Sequence, residues 1–290
     1  MRWLSNSLLA AMLSLIAGGN LQCIAEDTAS DRPQSAAASA DGQPDGKWIQ
    51  LFNGRDIDDW IVKINHHDVG DNFGDTFRVH DGILQVRYDK YGDFNDQFAH
   101  LNYKRPFSHY RIVVEYRFVG ELQQGAPDFS VMNSGVMLHS QDPRKILRDQ
   151  NWPISIEFQL LAGLPDGKPR ATGNACTPGT NVHINGRLVT DHVIHCTGKT
   201  YRPDEWVRAE AIVRGNGRFT HIINGEKVLE YSGPEIGGGV ATGYDPKEFV
   251  EGKPLSEGYV ALQTEGQPCD FRKVELKVLD PATDDTPEGE

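Results

Sequence analysis

Basic residues are in short supply: 29 Lys and Arg stand against 41 Asp and Glu in 290 residues, a formal charge of -12. A nucleic-acid binder needs a cationic face against phosphate, so this balance argues against DNA and RNA. It disfavours an anionic membrane surface equally, and leaves a neutral ligand such as a sugar open. No stretch is long and apolar enough for a transmembrane helix. No internal repeat is visible, which argues against a propeller. Helical periodicity over ten or more residues is missing too. Gly237-Gly238-Gly239 is followed by neither Lys-Ser/Thr nor a helix, so it reads as a flexible loop and not a phosphate cradle.

What is present begins with a leader. Arg2 precedes an apolar run of 11 residues, Leu8 to Gly18, and Cys23-Ile24-Ala25 places small residues where a signal peptidase cuts. Residues 1–25 read as a signal peptide and the protein as secreted or periplasmic. Asn20, Leu21 and Gln22 make a poor lipobox before Cys23, so a lipoprotein is the less favoured reading. Residues 26–46, rich in Ala, Ser, Asp and Pro, read as a disordered linker, and 281–290 as an acidic tail. Cys176, Cys196 and Cys269 remain after cleavage. Export implies an oxidising compartment, and Cys176 and Cys196 bracket one Gly/Pro/Asn-rich loop, so these two are the expected disulfide. Cys269 is an alternative partner for either, since sequence does not fix connectivity.

Between the tails, residues 47–280 read as a single all-β domain. Asp81-Gly82 and Asn224-Gly225 each separate two strand-like runs, as two-residue hairpin turns do. Strands are expected over 76–80, 83–88, 110–119, 134–139, 154–161, 206–214, 218–223, 226–231, 258–264 and 271–279. Many strands without intervening helices mean an antiparallel sandwich or barrel. Alternation then sorts the side chains. Val136, Leu138, Ile156, Phe158, Val260 and Leu262 form core faces. Met137, His139, Glu157, Gln159, Tyr259, Gln263 and Glu265 fall on the opposite faces. One face of an antiparallel sheet is usually wet, so polar residues there need no function. These strands, however, present carboxylate, amide and imidazole groups in place of the usual Lys, Glu and Thr. Amides and carboxylates take paired hydroxyls, which makes such a face a natural saccharide groove. Trp60 and Trp206 read as core anchors. His183, His192 and His195 raise a divalent metal ion, although their spacing specifies neither ion nor geometry and no compact two-His motif is present.

Gln50-Leu51-Phe52-Asn53-Gly54-Arg55-Asp56 with Trp60 resembles the opening motif of the 3-keto-disaccharide hydrolase, or 3-keto-glucoside lyase/hydratase, domain family, formerly a domain of unknown function. Further matches follow in order at 107–118, 133–136 with His139, 156–159, Glu205-Trp206, His221 with Asn224-Gly225, 258–266 and 271–274. The resemblance spans about Trp48 to Leu279. It implies a concanavalin A-like antiparallel β-sandwich, a jelly roll, acting on oxidised, 3-keto saccharides. Many members carry His where Glu265 stands, and an Asp soon after the E-x-Q motif where this chain has Leu161-Ala162-Gly163.

The implied chemistry is an elimination. A 3-keto group acidifies the C2 hydrogen, a base removes it, and the enolate expels the C1 substituent. The site needs a base, an enolate stabiliser and an acid for the leaving group. Glu157-Phe158-Gln159 offers one carboxylate on its strand where a sandwich glycosidase carries several, which counts against direct hydrolysis. Glu157 or His139 is the expected base. Glu265 is the expected acid, or a second base if hydration follows. Asn133, Gln159 and Gln263 are expected to bind hydroxyls. Arg272 could stabilise the enolate only if a bulge turns it away from the Val274/Leu276 side. The alternative is a non-catalytic carbohydrate-binding or adhesion module on the same sandwich.

Overall fold

Runs in which Val, Ile and aromatic residues recur at every second position become strands, because branched and ring side chains pack well on a pleated surface. The computed structural model describes residues 46–281. The expected signal peptide, nearly all of the linker and the acidic tail lie outside the described residues. In chain order the strands are β1 Trp48–Gln50, β2 Trp60–Ile64, β3 Phe77–His80, β4 Ile83–Val86, β5 Ala99–Tyr103 and β6 His109–Phe118. Next come β7 Asn133–Ser140, β8 Ile156–Leu161, β9 Ala175–Cys176, β10 Thr180–Ile184, β11 Arg187–Val189 and β12 Val193–Ile194. The last are β13 Val207–Arg214, β14 Arg218–Ile223, β15 Glu226–Ile236, β16 Tyr259–Thr264 and β17 Cys269–Val278. Among the described residues there is no α-helix, only short 3-10 turns.

The strands form two antiparallel sheets. The first has the order β11-β10-β15-β14-β13-β6-β17-β4-β3, with β1 also paired to β17. The second runs β12-β9-β8-β7-β16-β5-β2. One apolar core joins them: Tyr110, Ile112, Val114 and Tyr116 from β6 meet Val136, Leu138, Ile156 and Phe158 from β7 and β8. Each such fully buried side chain contributes roughly 1.5–3 kcal/mol. This is the antiparallel sandwich that the alternation and the resemblance imply. The expected hairpins are present. Asp81 and Gly82 have φ of 50° and 75°, and Asn224 and Gly225 have 47° and 83°, the paired positive angles of a type I′ turn.

The outer face of the first sheet is an ion-pair lattice. Arg111 and Arg208 hold Glu210, while Arg87 and Arg117 hold Asp270. Arg272 belongs to this lattice. A register shift in β17 between Phe271 and Lys273 does turn it outward, but onto Glu115 and the Trp206 ring, 4.6 Å from the ring centroid. Trp206 is therefore held between Arg272 and Arg117 and is not a core anchor, whereas Trp60 is buried and donates its indole N–H to Leu51 O at 3.1 Å.

The expected Cys176–Cys196 disulfide is absent; Cys176, Cys196 and Cys269 are free thiols. Strand register explains why. Across β9 and β12, Cys176 faces Val193, which leaves Cys196 about three residues, roughly 10 Å, farther along the ladder. A bridge needs Cα atoms within about 7 Å. Instead the Cys196 thiol donates to Thr172 O at 3.2 Å and its backbone N–H to Asn174 Oδ1 at 3.0 Å.

A candidate acid–base site on the second sheet

The outer face of the second sheet gathers most of the polar residues that alternation assigns to it. Gln263 on β16 lies opposite Gly135 on β7, which lies opposite Gln159 on β8. Gly135 has no side chain, and that vacancy is what brings the flanking groups together. A Cβ there would sit 2.6 Å from Glu157 Cγ and 2.8 Å from Gln263 Oε1, inside any allowed contact. Gln263 Nε2 therefore spans the gap, donating to Glu265 Oε1 at 3.1 Å and to Glu157 Oε2 at 3.4 Å.

Glu265 follows the last residue of β16. Gly266, at φ 101°, turns the chain there, and its N–H donates to the Tyr88 hydroxyl at 2.8 Å, which fixes the turn. Two further donors reach the Glu265 carboxyl: Asn133 Nδ2 at 2.7 Å and Trp152 Nε1 at 3.2 Å. Trp152 comes from the segment between β7 and β8 and packs on Phe98, ring centroids 4.6 Å apart. Behind Asn133 stands a directional chain of amides. Asn174 Nδ2 donates to Gln159 Oε1 at 2.9 Å, and Gln159 Nε2 donates to Asn133 Oδ1 at 3.3 Å. Each bond polarises the next toward Glu265.

The two carboxyls are nearly sealed from solvent, Glu157 at 5% and Glu265 at 4% exposure. Burial disfavours charge, so both carboxyls hold their protons to higher pH than usual. Glu265 is pushed up to about 7 by burial, against the pull of the Trp152 hydrogen bond. Glu157 is raised well above the carboxylate range by burial and then by the nearby charge of Glu265. The hydrogen bonds separate the pair. Three N–H groups point at Glu265 and one long contact reaches Glu157, so the single charge resides on Glu265 and the proton on Glu157.

This pair forms part of the wall of a pocket of about 590 Å³. One end carries the polar side chains of Asn133, Gln159, Asn174 and Arg170, set among the apolar Phe129, Leu161 and Pro169. Arg170 is anchored by Nη1 donating to Met132 O and Ala162 O, both at 2.9 Å. The opposite end carries Cys176, Pro178, Val193 and Val240, with His192 beside them, while His195 and Cys196 follow the register back to Asn174, whose Oδ1 accepts the Cys196 N–H. Of the expected site residues, Glu157, Glu265, Asn133, Gln159 and Gln263 are brought together.

His139 is not. A bulge in β7 puts it at φ 47°, and the strict alternation fails there. Its ring packs edge-on against Phe219 and Tyr110, 5.2 and 5.8 Å away, with its nitrogens on Leu255 O and Ser108 O. Burial lowers its pKa to about 4. His183 is also elsewhere, bonded to Gly233 O on the first sheet. Among the described residues no three His, Cys, Asp or Glu side chains form a metal-holding group.

Arg170, Trp152 and Asn174 escaped the sequence analysis because all three lie in loops, where no period reports direction. Two buried residues, Lys63 and His100, also escaped it. Lys63 on β2 faces His100 on β5, and His100 faces Gln263, so the polar row continues under the loop that carries Arg148. Burial lowers Lys63 to about 8 and His100 to about 3.

The second sheet of this antiparallel β-sandwich thus presents a buried carboxyl pair beneath an amide-bearing pocket, the concave, partly apolar form of a small-molecule site. The chain belongs to the family described as the 3-keto-alpha-glucoside-1,2-lyase-like domain, whose model matches residues 47–277. No curated protein matches the chain. Among solved structures it is similar to two proteins described as candidate glycosyl hydrolases from Parabacteroides distasonis ATCC 8503. One is 19% identical, with a TM-score of 0.47 over 80% of this chain and 94% of that one. The other is 17% identical, with a TM-score of 0.46 over 80% and 100%. A protein of unknown function with a galectin-like fold from Bacillus subtilis is 12% identical, with a TM-score of 0.48 over 81% and 96%.

Proposed function

We propose that the protein cleaves 3-keto-glycosides by elimination, with Glu265 as base and Glu157 as acid. The observation that carries this is the unequal hydrogen bonding of two buried carboxyls that share the Gln263 amide. It reverses the roles that the sequence suggested for the two residues. Glu265, ionised, takes the C2 hydrogen of the oxidised sugar as a proton. The C2 electron pair delocalises onto the C3 oxygen, where the Arg170 guanidinium offers positive charge. The enolate then reforms its carbonyl, a C1–C2 double bond forms and the C1–O bond breaks. Glu157 gives its proton to the departing oxygen. The pair ends with its proton exchanged, Glu265 protonated and Glu157 ionised. Hydration of the C1–C2 double bond restores it: Glu157 takes a proton from water attacking C1, and Glu265 returns one to C2.

Asn133, Gln159 and Asn174 supply the hydroxyl contacts at the polar end. Both carboxyls rise from one sheet face, whereas a glycosidase pair flanks the bond from two sides. The leader-like amino terminus supports export. The test is incubation with a 3-keto-glucoside and with the unoxidised glucoside, following aglycone release and the ultraviolet absorbance of the conjugated enone. Release from the oxidised substrate alone is expected. Comparable cleavage of the ordinary glucoside would overturn the proposal, and tight binding of both without turnover would favour the binding-module reading.

A further inference from the structure

We propose that the end of the pocket beyond Glu157 is an aglycone site for an apolar, ring-sized leaving group, aromatic or alicyclic, and not for a second sugar. The inference rests on the elimination reading, which fixes the direction of the substrate. Glu265 is bonded to Asn133 at the polar end, so the oxidised ring, whose C2 it deprotonates, lies over Asn133, Gln159 and Asn174. Glu157 faces Cys176 across β8 and β9, so the C1 substituent it protonates points toward Cys176.

Beyond Cys176 the wall is Pro178, Val193 and Val240. None of these side chains can pair with the several hydroxyls of a sugar, and burying unpaired hydroxyls is costly. A ring without hydroxyls gains from the same contacts. The pocket volume of about 590 Å³ has room for a hexose and one further ring. One polar side chain interrupts this wall: His192, whose Nδ1 is buried and has no hydrogen-bond partner among the described residues. It can serve a single oxygen or hydroxyl on an otherwise apolar ring.

Val240 is the most telling residue of this end. It is 39% exposed and has φ of 71°, a left-handed conformation that is costly for a β-branched side chain. The fold enforces that conformation from both sides. Asn151 Nδ2 donates to Val240 O at 3.2 Å, and Asn151 Oδ1 accepts the Thr242 N–H at 2.7 Å. On the other side the Gly179 N–H donates to Gly239 O at 2.8 Å, which ties down the glycine run expected from sequence to be flexible. An apolar side chain is thus held at the pocket mouth against its own backbone preference and in contact with water. A glycine would meet the backbone requirement without strain. What valine adds is an isopropyl group facing the pocket.

The experiment compares two 3-keto-glucosides, of cyclohexanol and of a second glucose; the sugar alkoxide is the weaker base and leaves more readily, so a preference for the cyclohexyl compound reports binding and not leaving-group chemistry. The wild-type protein is expected to favour the cyclohexyl compound by at least about tenfold in kcat/KM. Val240→Gly keeps the backbone relaxed and is expected to reduce that preference about tenfold through KM, the scale of losing a few methyl contacts in an apolar pocket. Val240→Thr, which keeps the shape and adds a hydroxyl, is expected to fall between. Equal use of the two substrates, or a preference unchanged in Val240→Gly, overturns the aglycone assignment and leaves elimination standing. If neither substrate turns over, the elimination reading fails separately. Calorimetric binding of unoxidised cyclohexyl glucoside then decides the subsite: a roughly tenfold weakening in Val240→Gly supports it, and no binding or no weakening removes it.

Discussion

Replacing Glu157 with Gln changes one atom of a buried side chain and removes its acidic proton. Glu157 lies 3.4 Å from Gln263 Nε2, and Gln fits the same space. The consequence depends on the leaving group. A sugar alkoxide cannot leave C1 unprotonated, so losing the acid should lower kcat about 10²- to 10⁴-fold. A nitrophenolate needs no proton, and its loss should stay under about tenfold. The pH profile of the wild-type protein supplies the second readout. Glu265 must be ionised to act as base and its pKa is pushed up to about 7, so kcat/KM should fall about tenfold per pH unit below that value. At pH 5 the rate should be about a hundredth of the plateau. At high pH a second limb should appear as Glu157 loses its proton, and Glu157→Gln should lack it. The assay is steady-state aglycone release from nitrophenyl and glucosyl 3-keto-glucosides between pH 5 and 10. Equal losses on both substrates in Glu157→Gln, or a flat wild-type profile from pH 5 to 8, would refute the assignment of acid and base.

Glu265→Gln should abolish turnover of both substrates by at least about a hundredfold, because no leaving group substitutes for the base. The same variant should flatten a pH dependence of stability. The folded state raises Glu265 from 4.5 to about 7, so it keeps a proton that the unfolded chain has lost; the resulting stability, about 3 kcal/mol, is complete below pH 4.5 and lost as pH rises through 7. Urea midpoints at pH 5, 6, 7 and 8 measure it, and an unchanged slope in the variant would contradict the burial argument. Gly135→Ala should cost activity at least tenfold with about 1–3 kcal/mol of stability, since its methyl would displace Glu157 on the pocket face of β7 and not in the apolar core; normal kinetics would show that the carboxyl is not held there. Alkylation and peptide mapping of the denatured, unreduced protein should find Cys176, Cys196 and Cys269 all modified, and any cross-linked peptide among them would contradict the strand register.

Sequence carried the sheets well and the site in part. Strand periodicity is a backbone property, so β6, β7, β8, β13, β14, β16 and β17 were legible to within about two residues. Glu157, Gln159 and Gln263 were legible for the same reason, because their strands stay regular where they sit. His139 and Arg272 follow bulges, and one extra residue sends a side chain to another face. For Arg272 the bulge was foreseen as a condition, but the sheet it would face was not. The short strands β9 and β12 carry too few residues to show a period, so the separation of Cys176 from Cys196 had no sequence signal. Asn133 and Glu265 sit at strand ends, and their meeting depends on β7 and β16 being neighbours, which no local pattern encodes.

That adjacency has a consequence for how the chain is made. β16 lies between β7 and β5, and β17 lies between β6 and β4. The last two strands to be synthesised are thus inserted between strands that precede them by well over a hundred residues. Until they emerge, both sheets are split, and β4, β5, β6 and β7 each present an unmatched edge that is open to other chains. Pairing over such separations is slow to form. A nascent chain that stops short of Tyr259 therefore has the hydrophobic content of the domain without a means of closing it. Completion of both sheets, and of the Glu265 end of the pocket, waits for the last strands of this domain to leave the ribosome.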